Sequence, residues 1–111
     1  MRANIESISF HKALLADAQV EYDYWNIQPE SPERSTMLDT FARQLELHNS
    51  NISRLKAEIT DPGEAKKDIE AFIDQLIRWL QLFGGFIPAS AKKLIENVLK
   101  AAKELLHELN L

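Results

Sequence analysis

Apolar residues recur at spacings of three and four along most of the chain, and three short clusters rich in glycine, proline and polar residues interrupt this pattern. Such spacings place apolar side chains on one side of an α-helix, whereas a half-buried strand needs an alternation that the chain does not sustain. We therefore predict one all-α domain spanning residues 1–111. Its helices are expected at about residues 5–25, 32–60, 62–83 and 90–109.

Residues with capping preferences mark the predicted helix ends. Ser31 precedes Pro32, a good N-cap followed by the residue most tolerated in a first helical turn. Asp61 and Glu64 have the spacing of a capping box. Gly84 opens the glycine pair that is expected to end the third helix. Because the connections are short, neighbouring helices should be antiparallel, which predicts an up-down-up-down four-helix bundle.

The second predicted helix differs from the others in length and in the width of its apolar face. At about 29 residues it is an elongated helix that should overhang the bundle. Its apolar positions form a strict heptad seam: Leu38, Phe41, Leu45, His48, Ile52, Leu55 and Ile59. A heptad seam is typical of a coiled coil, so we expect a second chain on it and a homodimer. The alternative is that residues 53–60 cover one end of the core.

Two histidines are expected to meet between the first two helices. If these helices form a hairpin about residues 26–31, seam residues meet where their numbers sum to about 60, which pairs His11 with His48. Asn51 lies one helical turn from His48. We interpret the three residues as a polar layer that fixes the register, or as a pH switch, because two protonated rings would repel each other. We predict no metal there, because the layer lacks further ligands.

Seven apolar residues, most of them aromatic, are expected near one end of the bundle, where the first and third connections lie. They are Tyr22, Tyr24, Trp25, Ile27, Phe83, Phe86 and Ile87. Between Asp17 and Asp39 the chain also has six carboxylates and one basic residue, Arg34. These side chains either cap the core or form a binding surface for a protein partner, and the carboxylates would then favour a basic partner. A third interpretation inserts residues 82–88 into a membrane surface.

The spacing of Arg43 and His48 resembles the R-x4-6-H motif of the HEPN ribonucleases, which are helical and usually dimeric. The resemblance implies an RNase in which these two residues act at a dimer cleft. Residues five apart lie about 140° apart around a helix, so Arg43 should face elsewhere if His48 faces the seam. We keep the ribonuclease as the less favoured alternative.

Composition narrows the functional classes. The 111 residues are 45% hydrophobic and 27% charged, as in an ordinary globular domain, and they include no cysteine. A disulfide scaffold, a thiolate metal site and a cysteine nucleophile are therefore excluded. With 13 basic and 17 acidic residues the net charge is -4, which argues against nucleic acid as a partner.

We predict a non-catalytic helical-bundle module for protein–protein interaction, such as an adaptor, inhibitor or regulatory domain, that self-associates. No residues combine as a nucleophile and base or as a phosphate loop, so we predict neither an enzyme nor a cofactor. Charged residues interrupt the N-terminal segment, which predicts a cytoplasmic protein. The longest apolar run, residues 82–89, is far shorter than the about 20 residues that a membrane span needs.

Overall fold

Four α-helices account for 87% of the structure. The computed structural model describes residues 2–109, and no strand occurs among them. The helices are α1 (Arg2–Asn26), α2 (Pro32–Ala57), α3 (Pro62–Phe83) and α4 (Ala89–Leu109). The prediction of an all-α fold with four helices is confirmed.

The predicted caps of α2 and α3 are formed by the expected side chains. The Ser31 hydroxyl accepts a hydrogen bond from the backbone N–H of Arg34 at 3.0 Å. The Asp61 carboxylate accepts one from the backbone N–H of Glu64 at 3.1 Å. Each bond satisfies a donor that the first turn of a helix leaves without a partner.

The second helix ends earlier than predicted, at Ala57, and it is not elongated relative to α1. It has 26 residues and α1 has 25. The backbone N–H of Glu58 bonds to the Leu55 carbonyl, which tightens the last turn. Asp61 must be extended because it precedes a proline, so the chain has to leave the helix before that residue. The prediction that α2 is elongated and overhangs the other helices is therefore wrong.

The first helix is the centre of the fold, because it packs against each of the other three. It forms an antiparallel hairpin with α2. At the turn, the guanidinium of Arg34 donates to the Trp25 carbonyl at 3.0 Å. At the far end, the Asn4 amide donates to the Glu58 carboxylate at 2.8 Å. Within residues 2–109 the backbone of α2 contacts only α1, so the heptad seam of α2 has its partner in the same chain.

The buried core lies toward the end of the hairpin that is remote from its turn. The side chains removed completely from solvent are Ile5, Ile8, Ser9, Ala65, Ile69, Val98, Ala102 and Leu105. Among the described residues, none of α1 after Ala18 and none of α2 before Ile52 is buried. The part of the hairpin nearest its turn therefore lies outside the buried core.

The dimensions of the molecule agree with this uneven packing. It measures 48 × 37 × 20 Å, and its radius of gyration is 16.1 Å. A compact chain of this length has a radius of gyration of about 13 Å. The shortest dimension is about two helix diameters. Within residues 2–109, none of the helices combines the length and the apolar character needed to cross a lipid bilayer.

Candidate functional site

The two histidines face each other, as the hairpin register predicts. The Nδ1 atoms of His11 and His48 are 3.0 Å apart, within hydrogen-bond distance, and the rings are tilted by 48°. One nitrogen must carry a proton and donate it while the other accepts, because two bare or two protonated nitrogens would repel. The contact is therefore compatible with at most one positive charge on the pair.

The surroundings of His11 favour its neutral form. Burial lowers the pKa of His11 below its ordinary value, and the charges of His48 and Arg54 lower it further. The side-chain oxygen of Asn51 accepts a hydrogen bond from Arg54 at 3.4 Å. Asn51 therefore lies beside the arginine. Among residues 2–109, no cluster of three His, Asp or Glu side chains is placed to hold a metal ion.

The end of the α1–α2 hairpin exposes part of its predicted aromatic group. Ile27 is 80% exposed and Tyr24 about half, whereas Tyr22 and Trp25 are half-buried. The Tyr24 and Trp25 rings meet edge to face, with centroids 5.4 Å apart. Within the described residues, the buried indole N–H of Trp25 has no hydrogen-bond partner. Trp25 thus belongs partly to the local packing, while Tyr24 and Ile27 face solvent.

The end of α3 and the connection to α4 expose a denser apolar surface, which we call the apolar corner. It consists of Trp79, Leu82, Phe83 and Phe86. The last of these is 88% exposed, and the others are each at least half exposed. Ile87, which was predicted to join this group, is half-buried. Four large apolar side chains within eight residues make a patch of the kind that binds other molecules.

Trp79 is the member of the apolar corner that the sequence does not single out. Phe83 is among the residues predicted either to cap the core or to form a binding surface, and Leu82 belongs only to the 82–88 segment considered for a membrane surface. Trp79 and Phe83 follow Phe72 and Leu76 at helical spacings along α3, yet the earlier two are buried and the later two are half exposed.

The two exposed groups lie toward the same end of the α1–α4 pair. Glu21 near the end of α1 and Ser90 at the start of α4 line one groove. Among the described residues, no aromatic ring of the α1–α2 end stacks on a ring of the apolar corner. The apolar corner is therefore separate from the aromatic group at the α1–α2 end.

The structure does not bring Arg43 and His48 together. The Arg43 side chain is 79% exposed and pairs with Asp39 at 2.9 Å. His48 faces α1 and bonds to His11. The two residues thus point in different directions.

The chain matches no protein-family model, no curated protein and no solved structure. We therefore infer function from the exposed side chains and their charges.

Proposed function

We propose that the protein is a non-catalytic helical interaction module, such as an adaptor, inhibitor or regulatory domain, which binds a protein partner through the apolar corner and also self-associates. The observation that carries the proposal is the exposure of Trp79, Leu82, Phe83 and Phe86. Large apolar and aromatic side chains contribute most of the binding energy at protein interfaces once they are desolvated. Scattered apolar residues need no explanation, but a contiguous patch does.

The acidic residues around the α1–α2 connection indicate what kind of partner the protein binds. Six carboxylates between residues 17 and 39 are all exposed, and only Asp39 forms an ion pair within the described residues. An acidic flank of this kind attracts a basic surface and speeds its encounter. We therefore propose a partner that offers apolar side chains to the corner and a basic rim to the α1–α2 end.

The proposed architecture is an up-down-up-down four-helix bundle. It is open at the end where α1 connects to α2 and α3 connects to α4. The antiparallel α1–α2 hairpin and the short connection between α3 and α4 support this order. In such an arrangement the core holds the four helices together at one end. The other end then leaves the apolar corner without a partner in the same chain.

Capture by the immobilised chain tests the proposal. The wild-type chain, the double variant F83S/F86S and the control variant Leu47→Ser are compared for the proteins that they retain from a cell extract. Leu47 is 58% exposed on α2, so the control also removes an exposed apolar side chain. The proposal predicts at least one protein that wild type and the Leu47 variant retain equally and the double variant loses.

A companion measurement separates protein binding from membrane binding. Helicity of each variant is checked by circular dichroism, since the substituted residues are exposed and should not be needed for folding. Vesicles of phosphatidylcholine with and without phosphatidylserine are then sedimented with each variant. Retention of the same proteins by all three chains contradicts the proposal. Cosedimentation that depends on Phe83 and Phe86 would instead favour the membrane-surface alternative.

A further inference from the structure

The helices α1 and α4 enclose a groove of about 630 Å³ that nothing in the chain fills. Its apolar lining consists of small or aliphatic side chains: Ala13, Ala16, Val20, Leu94 and Ala101. Val20 is largely exposed, and Leu94 lies at the edge of the exposed class. Small residues along a helix pair allow another helix to approach closely, since the distance between packed helix axes depends on the side chains at the contact.

Charges of opposite sign line the two rims of the groove. The α1 rim carries Asp17 and Glu21, and the α4 rim carries Lys93 and Lys100. All four side chains are exposed. None of them forms an ion pair with any residue between 2 and 109. Lys12 of α1 and Glu104 of α4 have the reverse signs and line the groove nearer its other end. Over the rest of its length the groove therefore has an acidic α1 rim and a basic α4 rim, and these charges are left without partners.

The two rims run in opposite chain directions. Lys12 of α1 pairs with Glu108 of α4 at 2.7 Å, which fixes one end of the helix pair. Glu21 of α1 shares the other end of the groove with Ser90 and Lys93 of α4. Glu21 thus lies at about the level of Lys93, and Asp17 lies about one turn further toward Lys100.

We propose that a second copy of this chain covers the groove, with a two-fold axis parallel to α1 and α4. This inference rests on the proposed self-association and names the surface that produces it. The rotation places each α1 over α4 of the other copy at the same level along the axis. Glu21 then meets Lys93 of the second copy, and Asp17 meets its Lys100. Because the contact is isologous, every pair occurs twice.

The charges at the middle of the groove favour this axis over the other way of stacking two copies face to face. A two-fold axis perpendicular to the helices places α1 over α1 and α4 over α4. Asp17 on α1 and Lys100 on α4 would then each lie close to their own copies, which is unfavourable. The heptad seam of α2 is no rival surface, because α1 of the same chain already occupies it.

Charge reversal tests the interface. The mass in solution is measured by light scattering over a range of concentrations for wild type, Glu21→Lys and Lys93→Glu. Wild type should form dimers. Each single reversal should weaken the dimer by roughly tenfold, because it creates two like-charge contacts. Lys92→Glu is the matched control, since Lys92 is exposed on α4 but does not line the groove. This control should dimerise like wild type.

Mixing the two reversed variants decides whether the contact is between chains. In a mixed dimer both contacts between positions 21 and 93 again join opposite charges, so the mixture should recover about the wild-type affinity. A pair within one chain would not respond to mixing. A wild-type chain that stays monomeric, or a mixture that does not recover, overturns the proposal. Neither result affects capture through the apolar corner, and F83S/F86S should still dimerise, so the two proposals fail separately.

Discussion

The Nδ1 atoms of His11 and His48 are 3.0 Å apart, and this contact joins α1 to α2 at the middle of their hairpin. A shift of α2 by one residue would move His48 off the seam and break the contact. We propose that the pair fixes the register of the hairpin, as a single buried polar residue does in a coiled coil. It does so only while at most one ring is charged.

The histidine pair predicts that the protein loses stability in mildly acidic solution. Burial and the charges of His48 and Arg54 lower the pKa of His11 from its ordinary value of 6.5. The unfolded chain therefore binds this proton more readily than the folded chain does. The stabilisation is complete above about pH 6.5 and is lost as pH falls through the lower pKa of the folded state. The melting temperature should fall between about pH 8 and about pH 5.5.

The control for this prediction is the double variant H11L/H48L. Replacing both partners by apolar groups of similar size should change the free energy of unfolding by less than about 1 kcal/mol at neutral pH. Its melting temperature should vary less with pH than that of wild type over the same range. A flat wild-type profile would remove the proposed pH dependence.

The Glu108 carboxylate joins three helices, and its removal should weaken the core end slightly. It accepts hydrogen bonds from Lys12 of α1 and Lys56 of α2. Burial alone would raise the pKa of Glu108, but the two lysines outweigh burial and hold it below the usual range. Because the side chain is 39% exposed, solvent screens these pairs. Glu108→Gln should cost less than about 1 kcal/mol in urea unfolding.

The salt dependence of stability shows whether Glu108→Gln acts through the lost ion pairs or through a general change of the helix. The difference between wild type and Glu108→Gln should shrink at about 1 M salt, where exposed charges are screened. Glu96→Gln is the control, since Glu96 is an exposed carboxylate of α4 without an ion pair in the described residues. Equal stability of the two variants would contradict a role for Glu108.

The two glycines that follow α3 should respond differently to alanine. A Cβ on Gly84 would lie 2.4 Å from the Leu80 carbonyl oxygen, a backbone atom that cannot move aside cheaply. A Cβ on Gly85 would meet nothing within 4 Å. Gly84→Ala should therefore destabilise the chain by about 1–3 kcal/mol. Gly85→Ala should be neutral or stabilise it by up to about 1 kcal/mol. Equal effects in thermal unfolding would show that the α3–α4 connection is not held as described.

Replacing Trp25 by phenylalanine and by alanine should have different effects on the free energy of unfolding. Its N–H is buried without a partner among residues 2–109, which carries a desolvation cost. Trp25→Phe removes the N–H but keeps a ring against Tyr24, so the free energy of unfolding should stay the same or rise by up to about 1 kcal/mol. Trp25→Ala should lower it by roughly 2 kcal/mol, since the ring is half-buried. A larger loss with phenylalanine than with alanine would contradict this account.

The sequence predicts the hairpin register and the starts of α2 and α3 well because local chemistry decides them. Ser31 and Asp61 cap the helices they precede, and the seam spacing alone brings His11 to His48. The narrow apolar seam of α2 also agrees with its single neighbour, since the backbone of α2 contacts only α1 within the described residues.

The sequence singles out Phe83 and Phe86 but leaves open whether they are buried or exposed, because exposure depends on distances between helices that are far apart in sequence. Leu76 and Phe83 occupy equivalent positions on the α3 seam, yet the first is buried and the second is half exposed. The difference arises where the other helices end or diverge, which apolar spacing does not encode. For the same reason, the α2 seam alone could not show whether its partner is α1 or a second chain.

The most direct test of the interaction-module proposal is photo-crosslinking in cells from the apolar corner. A benzophenone side chain replaces Phe86, the most exposed large apolar residue of the corner, and in a matched chain it replaces Leu47 on α2. We predict that irradiation joins position 86, but not position 47, to a second polypeptide of defined mass. Adducts that are absent at position 86, or the same from both positions, would contradict the claim that the corner binds a protein partner.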